Sequence, residues 1–275
     1  MVTDRKLYKY GNAIDFNKMD TIEIKGLGKV GIVYNSFDKQ LKALDKAGAK
    51  FPYVMDVRNI AYMRLNKGSK NGARTRHAPI YAKDSPIILA RVSPLIKDFK
   101  MAEQAVKANR NGKYFVTKDT EVYDIYAKIA EKDKSKNPSE RRALILSSKE
   151  IYLIKPNSEE AQALFKDTRK EYFETFCKNG INFYPVSKDF VNSKKGSLVE
   201  YLWFERPDYV SVLFGNCRDL YDDIRAFGVL SETSEAGSKK ISAPTLDQVI
   251  EVLKNKYVPE YALPAAKKDL SKLFK

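Results

Sequence analysis

The chain offers few side chains for nucleophilic or metal chemistry. His77 is its only histidine, and Cys177 and Cys217 are its only cysteines. Ser-His-Asp, Cys-His and histidine-rich metal chemistry therefore all reduce to a single imidazole. No Walker A loop, G-x-S-x-G elbow or H-E-x-x-H helix occurs. His77 follows Arg74-x-Arg76, and adjacent cations disfavour its protonation, so it reads as a neutral contact or as packing at a strand end. Two cysteines are too few for a disulfide scaffold or a zinc cluster, and they read as buried thiols in a reducing compartment. No cofactor is expected.

Carboxylates with a divalent metal would be the remaining route to catalysis. Asp56, Glu150, Glu200, Glu205 and Asp208 stand at predicted strand ends and turns. A nuclease of the PD-(D/E)-x-K kind needs Pro-Asp on one strand and an acidic-x-Lys triplet on the next, so that two carboxylates and a lysine meet one metal and the attacking water. Pro207-Asp208 is present, but no such triplet follows it on an apolar strand. Pro207-Asp208 therefore reads as a turn. Asp219, Asp222 and Asp223 share one face of a predicted helix, which is the common pattern of a solvated acidic face. Gly26-x-Gly28 precedes a strand and lacks the third glycine of a dinucleotide loop.

Basic residues give the positive signal. The net charge is +15, and residues 1–137 hold 28 Lys/Arg against 15 Asp/Glu, while 138–275 hold 22 against 20. An excess confined to one half points to a polyanionic partner there. Its densest stretch, Val57 to Lys83, carries Arg58, Arg64, Lys67, Lys70, Arg74, Arg76 and Lys83 without a carboxylate. The segment 65–76 lacks apolar periodicity and is expected to be an exposed, mobile loop between two strands. Arg64, Lys67, Lys70, Arg74 and Arg76 would neutralise phosphates, with Gly68 and Gly72 allowing close backbone approach. Tyr62 and Tyr81 at the loop's base would stack on unpaired bases. Lys97, Lys100 and Lys107, with Arg110 and Lys113, form a second cluster along the helix after Pro94. No RNP, KH or helix-turn-helix pattern accompanies either cluster.

The elements that would position these groups alternate along the chain. Residues 1–20 suggest an arm. Thr21–Gly26 and Lys29–Tyr34 suggest a hairpin, followed by a helix from Ser36 to Gly48. Strand-like runs at 53–57 and 60–65 lead into the basic loop, and Pro86–Val92 is a buried strand. Ser93-Pro94 opens a helix, and Thr120 caps another. Residues 132–139 form the best linker candidate, dividing the chain into a basic region, 1–137, and a near-neutral one, 138–275. Beyond it come a hairpin over 143–154, a long helix from 157 to about 179 and a strand at 181–186. A central hairpin follows over 198–214, with Trp203 near the core, then a helix after Asn216 and two short helices after Pro244. Strands that arrive mostly as hairpins among packing helices indicate an α+β fold with mixed or antiparallel sheets.

The reading from sequence is thus a non-enzymatic nucleic-acid-binding protein whose basic half faces the polyanion. One alternative is a structural subunit of a larger assembly, such as a virus or phage particle, with arms that order on homo-oligomeric or assembly neighbours. The other is a metal-dependent nuclease built on carboxylates. No apolar run is long enough to cross a bilayer and no secretory signal opens the chain, so the expected setting is cytoplasmic, or a virion, with no membrane partner.

Overall fold

A β-hairpin begins the body of the protein. Strands β3 (Asp20–Ile24) and β4 (Gly28–Asn35) pair antiparallel, with Ile22 opposite Val30. Gly26 and Gly28 turn the chain at φ of 83° and 77°, a region that side chains disfavour. At Gly26 a Cβ would also sit 2.7 Å from the Tyr62 hydroxyl. The computed structural model describes residues 8–9, 12–13, 19–67, 72–207, 212–216, 220–221 and 224–230. Ahead of the hairpin, β1 (Tyr8–Lys9) and β2 (Asn12–Ala13) form a separate antiparallel pair. Met1–Ser234 forms one compact unit, and the second unit, Glu235–Lys275, lies outside the described residues.

The chain then continues through helix α1 (Phe37–Lys46), helix α2 (Val57–Lys67) and strands β5 (Ala73–Arg74), β6 (Ala78–Tyr81) and β7 (Ile88–Ala90). Helices α3 (Pro94–Lys97), α4 (Phe99–Arg110) and α5 (Glu121–Asp133) follow, then strands β8 (Ala143–Ile145) and β9 (Tyr152–Ile154). Next come α6 (Glu159–Phe165), α7 (Arg169–Phe176), β10 (Ile181–Tyr184) and α8 (Lys188–Asn192). The last described elements are β11 (Leu198–Val199), β12 (Trp203–Phe204), β13 (Val212–Phe214) and β14 (Ile224–Val229).

Eight strands form one mixed sheet in the order β3-β4-β14-β5-β12-β13-β10-β9, and a four-stranded antiparallel sheet runs β11-β6-β7-β8. Within the larger sheet, β10 with β13 and β14 with β5 are the parallel pairs. The fold is α+β with mixed and antiparallel sheets, as the hairpin pattern indicates. Two apolar clusters fill it. One gathers α2, α6 and α7 around Ile60, Phe165, Tyr172 and Phe204, and the other gathers α1, α3, α4 and α5 around Phe37, Leu41, Ala102 and Tyr201. Each fully buried aliphatic or aromatic side chain here contributes about 1.5–3 kcal/mol.

Several local expectations change. The run 57–67 is a helix, not a strand: Val57, Ile60, Ala61 and Arg64 are buried at i, i+3, i+4 and i+7. Arg64 occupies the last core position, so the apolar stripe is broken in sequence but not in space. Asp56 caps this helix by accepting from the Asn59 amide at 2.9 Å. The runs at 143–145 and 152–154 are not a hairpin, since β8 pairs with β7 and β9 with β10. The long helix after Asn157 is broken at Lys166, which has φ of 51°. The segment at 224–229 is a strand paired with β4 over six residues, not the expected helix.

The proposed boundary at 137/138 crosses no gap between folding units. Strand β7 pairs with β8, and β5 pairs with both β12 and β14, so the two regions interleave. The polar run 132–139 is pinned instead. The buried Asp133 carboxylate accepts from the Arg142 amide and guanidinium at 2.8 to 3.0 Å and pairs with Lys136 at 2.7 Å.

Candidate functional site

Of the residues expected to meet phosphate in this stretch, Arg64 and Arg74 are interior and Arg76 is partly buried. Arg64 is 1% exposed. It donates to the Tyr172 hydroxyl at 2.8 Å and the Phe204 carbonyl at 3.0 Å, and its guanidinium lies 3.9 Å from the Phe204 ring centroid. Arg74 is fully buried on β5. It donates to the Asn35 carbonyl at 2.9 Å and to Gln40 Oε1 at 2.7 Å, between the rings of Phe37 and Tyr201. Arg76 pairs with the buried Asp56 at 2.7 Å. These three arginines hold the fold together and are corrected as exposed phosphate contacts.

The aromatic residues at the loop's base divide. Tyr81 is buried, donating to the Gly215 carbonyl at 2.8 Å and accepting from the Val186 amide at 3.3 Å, so it has no face for a base. Tyr62 is half-buried beneath Arg58, 5.0 Å from its ring. Gly72 serves close packing instead of phosphate approach, since a Cβ there would collide with the Trp203 indole. The Lys67 side chain, Gly68 and Lys70 lie outside the described residues.

The second cluster remains at the surface. Ser93 Oγ accepts from the Leu95 amide, and Asp98 recaps the chain by accepting from the Lys100 and Met101 amides. Helix α4 then buries Ala102, Ala105, Val106 and Asn109, which leaves Lys100, Lys107 and Arg110 in solvent. Lys97 and Lys113 are exposed beside them, Lys97 over the Tyr126 ring at 5.1 Å. Helix α1 packs against α4 and adds exposed Lys39, Lys42 and Lys46, with Lys50 beyond its end. Glu103 on α4 pairs with Lys42 on α1 at 2.5 Å, which raises the Lys42 pKa, and Asp45 and Asp98 are further exposed carboxylates of this face.

Sequence reasoning missed the aromatic residues on this face. Phe51 is 58% exposed. It meets Tyr53 edge-on at 5.4 Å, and Tyr53 meets Phe99 at 6.0 Å. The three rings join the exit of α1 to the start of α4, with Lys50 and Lys100 their sequence neighbours. The available signal was the Phe-Pro-Tyr triplet at 51–53, directly after a lysine and a helix-ending glycine.

A different cationic locus surrounds Asp56. Arg76 and Lys166 approach its carboxylate at 2.7 and 3.9 Å, and Arg58 is clamped by Asp167, its Nε donating at 2.7 Å. Burial disfavours the ionised Asp56, but Arg76, the Asn59 amide and Lys166 outweigh it and hold its pKa below the ordinary value. Burial, then Arg91, lowers the Lys166 pKa. His77, also buried, is pushed down to about 3, by desolvation first and Arg76 next. The imidazole is therefore neutral, with burial a larger cause than the neighbouring cations.

The carboxylates considered for metal chemistry are dispersed. Asp56 is committed to Arg76 and Lys166, and Glu205 accepts from the Trp203 indole at 3.1 Å. Glu200 is buried, Glu150 is exposed, and Asp208, Asp219, Asp222 and Asp223 lie outside the described residues. Among the described residues no three His, Cys, Asp or Glu side chains are grouped to hold a metal ion. No helix among them is long and apolar enough to cross a membrane.

No family model matches this chain, and no curated protein matches it. A solved chain from work on how the C-type lectin fold accommodates massive sequence variation in Nanoarchaeota aligns with a TM-score of 0.45. The two are 13% identical, over 78% of this chain and 100% of that one.

Proposed function

We propose that this protein is a non-enzymatic nucleic-acid-binding protein whose contact surface is the α1–α4 face. The observation that carries the reading is the exposed Phe51 ring, supported by Tyr53 and Phe99, set among the solvent-facing lysines of two packed helices. Lysines supply sequence-independent attraction to phosphates, and an exposed ring supplies a stacking platform for an unpaired base. Their combination favours single-stranded nucleic acid, because stacked duplex bases offer no free face to Phe51. The Lys42–Glu103 pair is neutral as a whole, so the cations left to attract a backbone are Lys39, Lys46, Lys50, Lys100, Lys107 and Arg110, against exposed Asp45 and Asp98.

The test is fluorescence anisotropy with labelled single-stranded and duplex oligonucleotides at two salt concentrations. The reading expects salt-sensitive binding that favours the single strand and weakens in a Lys100→Gln, Lys107→Gln, Arg110→Gln variant. Equal binding by that variant would remove the face from the account.

A second reading, a subunit of a larger assembly, is favoured by one observation. Strand β9 is one edge of the eight-stranded sheet, Leu153 within it is 43% exposed, and Ile151 just ahead of it is 61% exposed. An apolar edge strand is a template for pairing with another chain. Light scattering across a concentration series tests it, and a monomer at all concentrations counts against self-assembly.

A further inference from the structure

A groove of about 390 Å³ lies between the turn at 156–157 and helix α7. That volume falls within the range of small-molecule sites, about 300–1,000 Å³. Local sequence builds both walls. After β9 the Ser158 amide donates to the Lys155 carbonyl at 3.0 Å, and Ser158 Oγ then caps α6 by accepting from the Ala161 amide at 3.2 Å. Lys166, at φ of 51°, stops α6, and the chain restarts as α7. Phe173 anchors α7: it is 2% exposed and meets the Phe165 ring edge-on at 5.1 Å.

The α7 wall is a stripe of one helix face. Arg169 and Phe173 are one turn apart, as are Lys170 and Glu174, so the two pairs form adjacent rows. Lys178 lines the groove just past the helix end, and Asn157 lines the other wall. Arg169 is half-buried, while Lys170, Glu174 and Lys178 are exposed. None of these four side chains makes a hydrogen bond or ion pair with the described residues. Arg58 and Arg141, by contrast, are each committed to a carboxylate.

Three uncommitted cations and one uncommitted carboxylate select a ligand of mixed character. The cations attract a phosphoryl group, and a guanidinium can meet it at two points. Glu174 would repel a purely anionic ligand but accepts from hydroxyl groups, and Asn157 can both donate to them and accept from them. Phe173 is buried, so the groove offers no open ring for a base to stack on.

We propose that this groove binds a small phosphorylated polyol. Arg169, Lys170 and Lys178 hold its phosphoryl group, and Glu174 and Asn157 hold its hydroxyls. A free sugar phosphate and the ribose phosphate of a nucleotide share this chemistry. None of these residues belongs to the α1–α4 face.

The experiment titrates the full chain with ribose 5-phosphate, adenosine 5′-monophosphate, ribose and inorganic phosphate at constant ionic strength. Binding is read from the backbone amide signals of 157 and 169–178 in nitrogen-15 NMR spectra. Ribose 5-phosphate is expected to bind about tenfold more tightly than inorganic phosphate, the gain from two hydroxyl hydrogen bonds, and ribose alone should bind weakest. Tighter binding of the monophosphate than of ribose 5-phosphate identifies a nucleotide as the source, and weaker binding identifies a free sugar phosphate. Arg169→Gln should weaken ribose 5-phosphate binding by about tenfold or more, the loss of a charge-assisted bond. Glu174→Ala should remove most of the preference over inorganic phosphate, and Lys100→Gln should change nothing. Spectra that are otherwise unchanged establish that the variants fold. Inorganic phosphate binding as tightly as ribose 5-phosphate overturns the proposal, because only an adventitious ion is then held. Absence of binding by ribose 5-phosphate, or unaltered binding in the folded Arg169→Gln protein, overturns it as well.

Discussion

Lowering the pH from 7.5 to 4.5 should destabilise this protein through His77 before its ion-paired carboxylates contribute. The folded imidazole has its pKa depressed to about 3 from an ordinary 6.5, because burial and the facing Arg76, Arg91 and Lys166 outweigh Asp56. In the unfolded chain His77 takes up a proton as the pH drops through 6.5, while the folded protein does not. Its contribution to stability is therefore complete above pH 6.5 and is lost between 6.5 and 3. Each pH unit in that window costs up to about 1.4 kcal/mol, so the change to pH 4.5 removes about 3 kcal/mol. Asp56 and Asp167 have lowered pKa values, so their contributions fade only at more acid pH.

Urea denaturation of wild type and His77→Gln at pH 7.5, 6.0 and 4.5 isolates this effect. Wild-type stability should fall across the series, and the variant's should fall less by about 3 kcal/mol. Parallel losses in the two proteins would refute the reasoning. So would an imidazole signal in the folded wild type that titrates near pH 6.5, a readout that does not depend on how well the variant folds.

Arg64→Ala should cost about 3 kcal/mol or more in urea unfolding, because the Tyr172 hydroxyl and the Phe204 carbonyl lose a buried donor. It should leave nucleic-acid affinity unchanged, measured by anisotropy on the folded fraction. Phe51→Ala should alter stability by no more than about 0.5 kcal/mol, since the ring is exposed. The same change should weaken single-strand binding by about 1–3 kcal/mol, read in the same assay. Ile151→Lys with Leu153→Lys should abolish any concentration-dependent rise in scattering mass without unfolding the sheet, because both side chains face solvent on an edge.

The α+β class was legible because the hairpin at 20–35 and the helices after Ser36, Pro94 and Thr120 carry their own turn and cap signals. The lysines of α4 were legible as surface for the same reason: Ala102, Ala105 and Val106 mark the opposite stripe. Arg64 and Arg74 were misread because charge is a local property and burial is not. A guanidinium can enter a core where carbonyls, a hydroxyl and aromatic faces await it, and those partners come from residues 35, 40, 172 and 204. Strand β14 carries Phe227 and Val229 at an alternation that 220–227 also shares with a helix, and only pairing with β4 decides between them. The burial of His77 was hidden because the residues that enclose it, among them Leu89, Leu144 and Leu164, come from β7, β8 and α6.

We propose above all that the lysines of the α1–α4 face meet a nucleic-acid backbone. The most direct measurement is the dependence of binding on salt concentration for wild type and the Lys100→Gln, Lys107→Gln, Arg110→Gln variant on one single-stranded oligonucleotide. Each phosphate contact contributes about 0.7 to the slope of log K against log salt, so losing three should flatten it by about 2. A slope and affinity equal to wild type would contradict the claim.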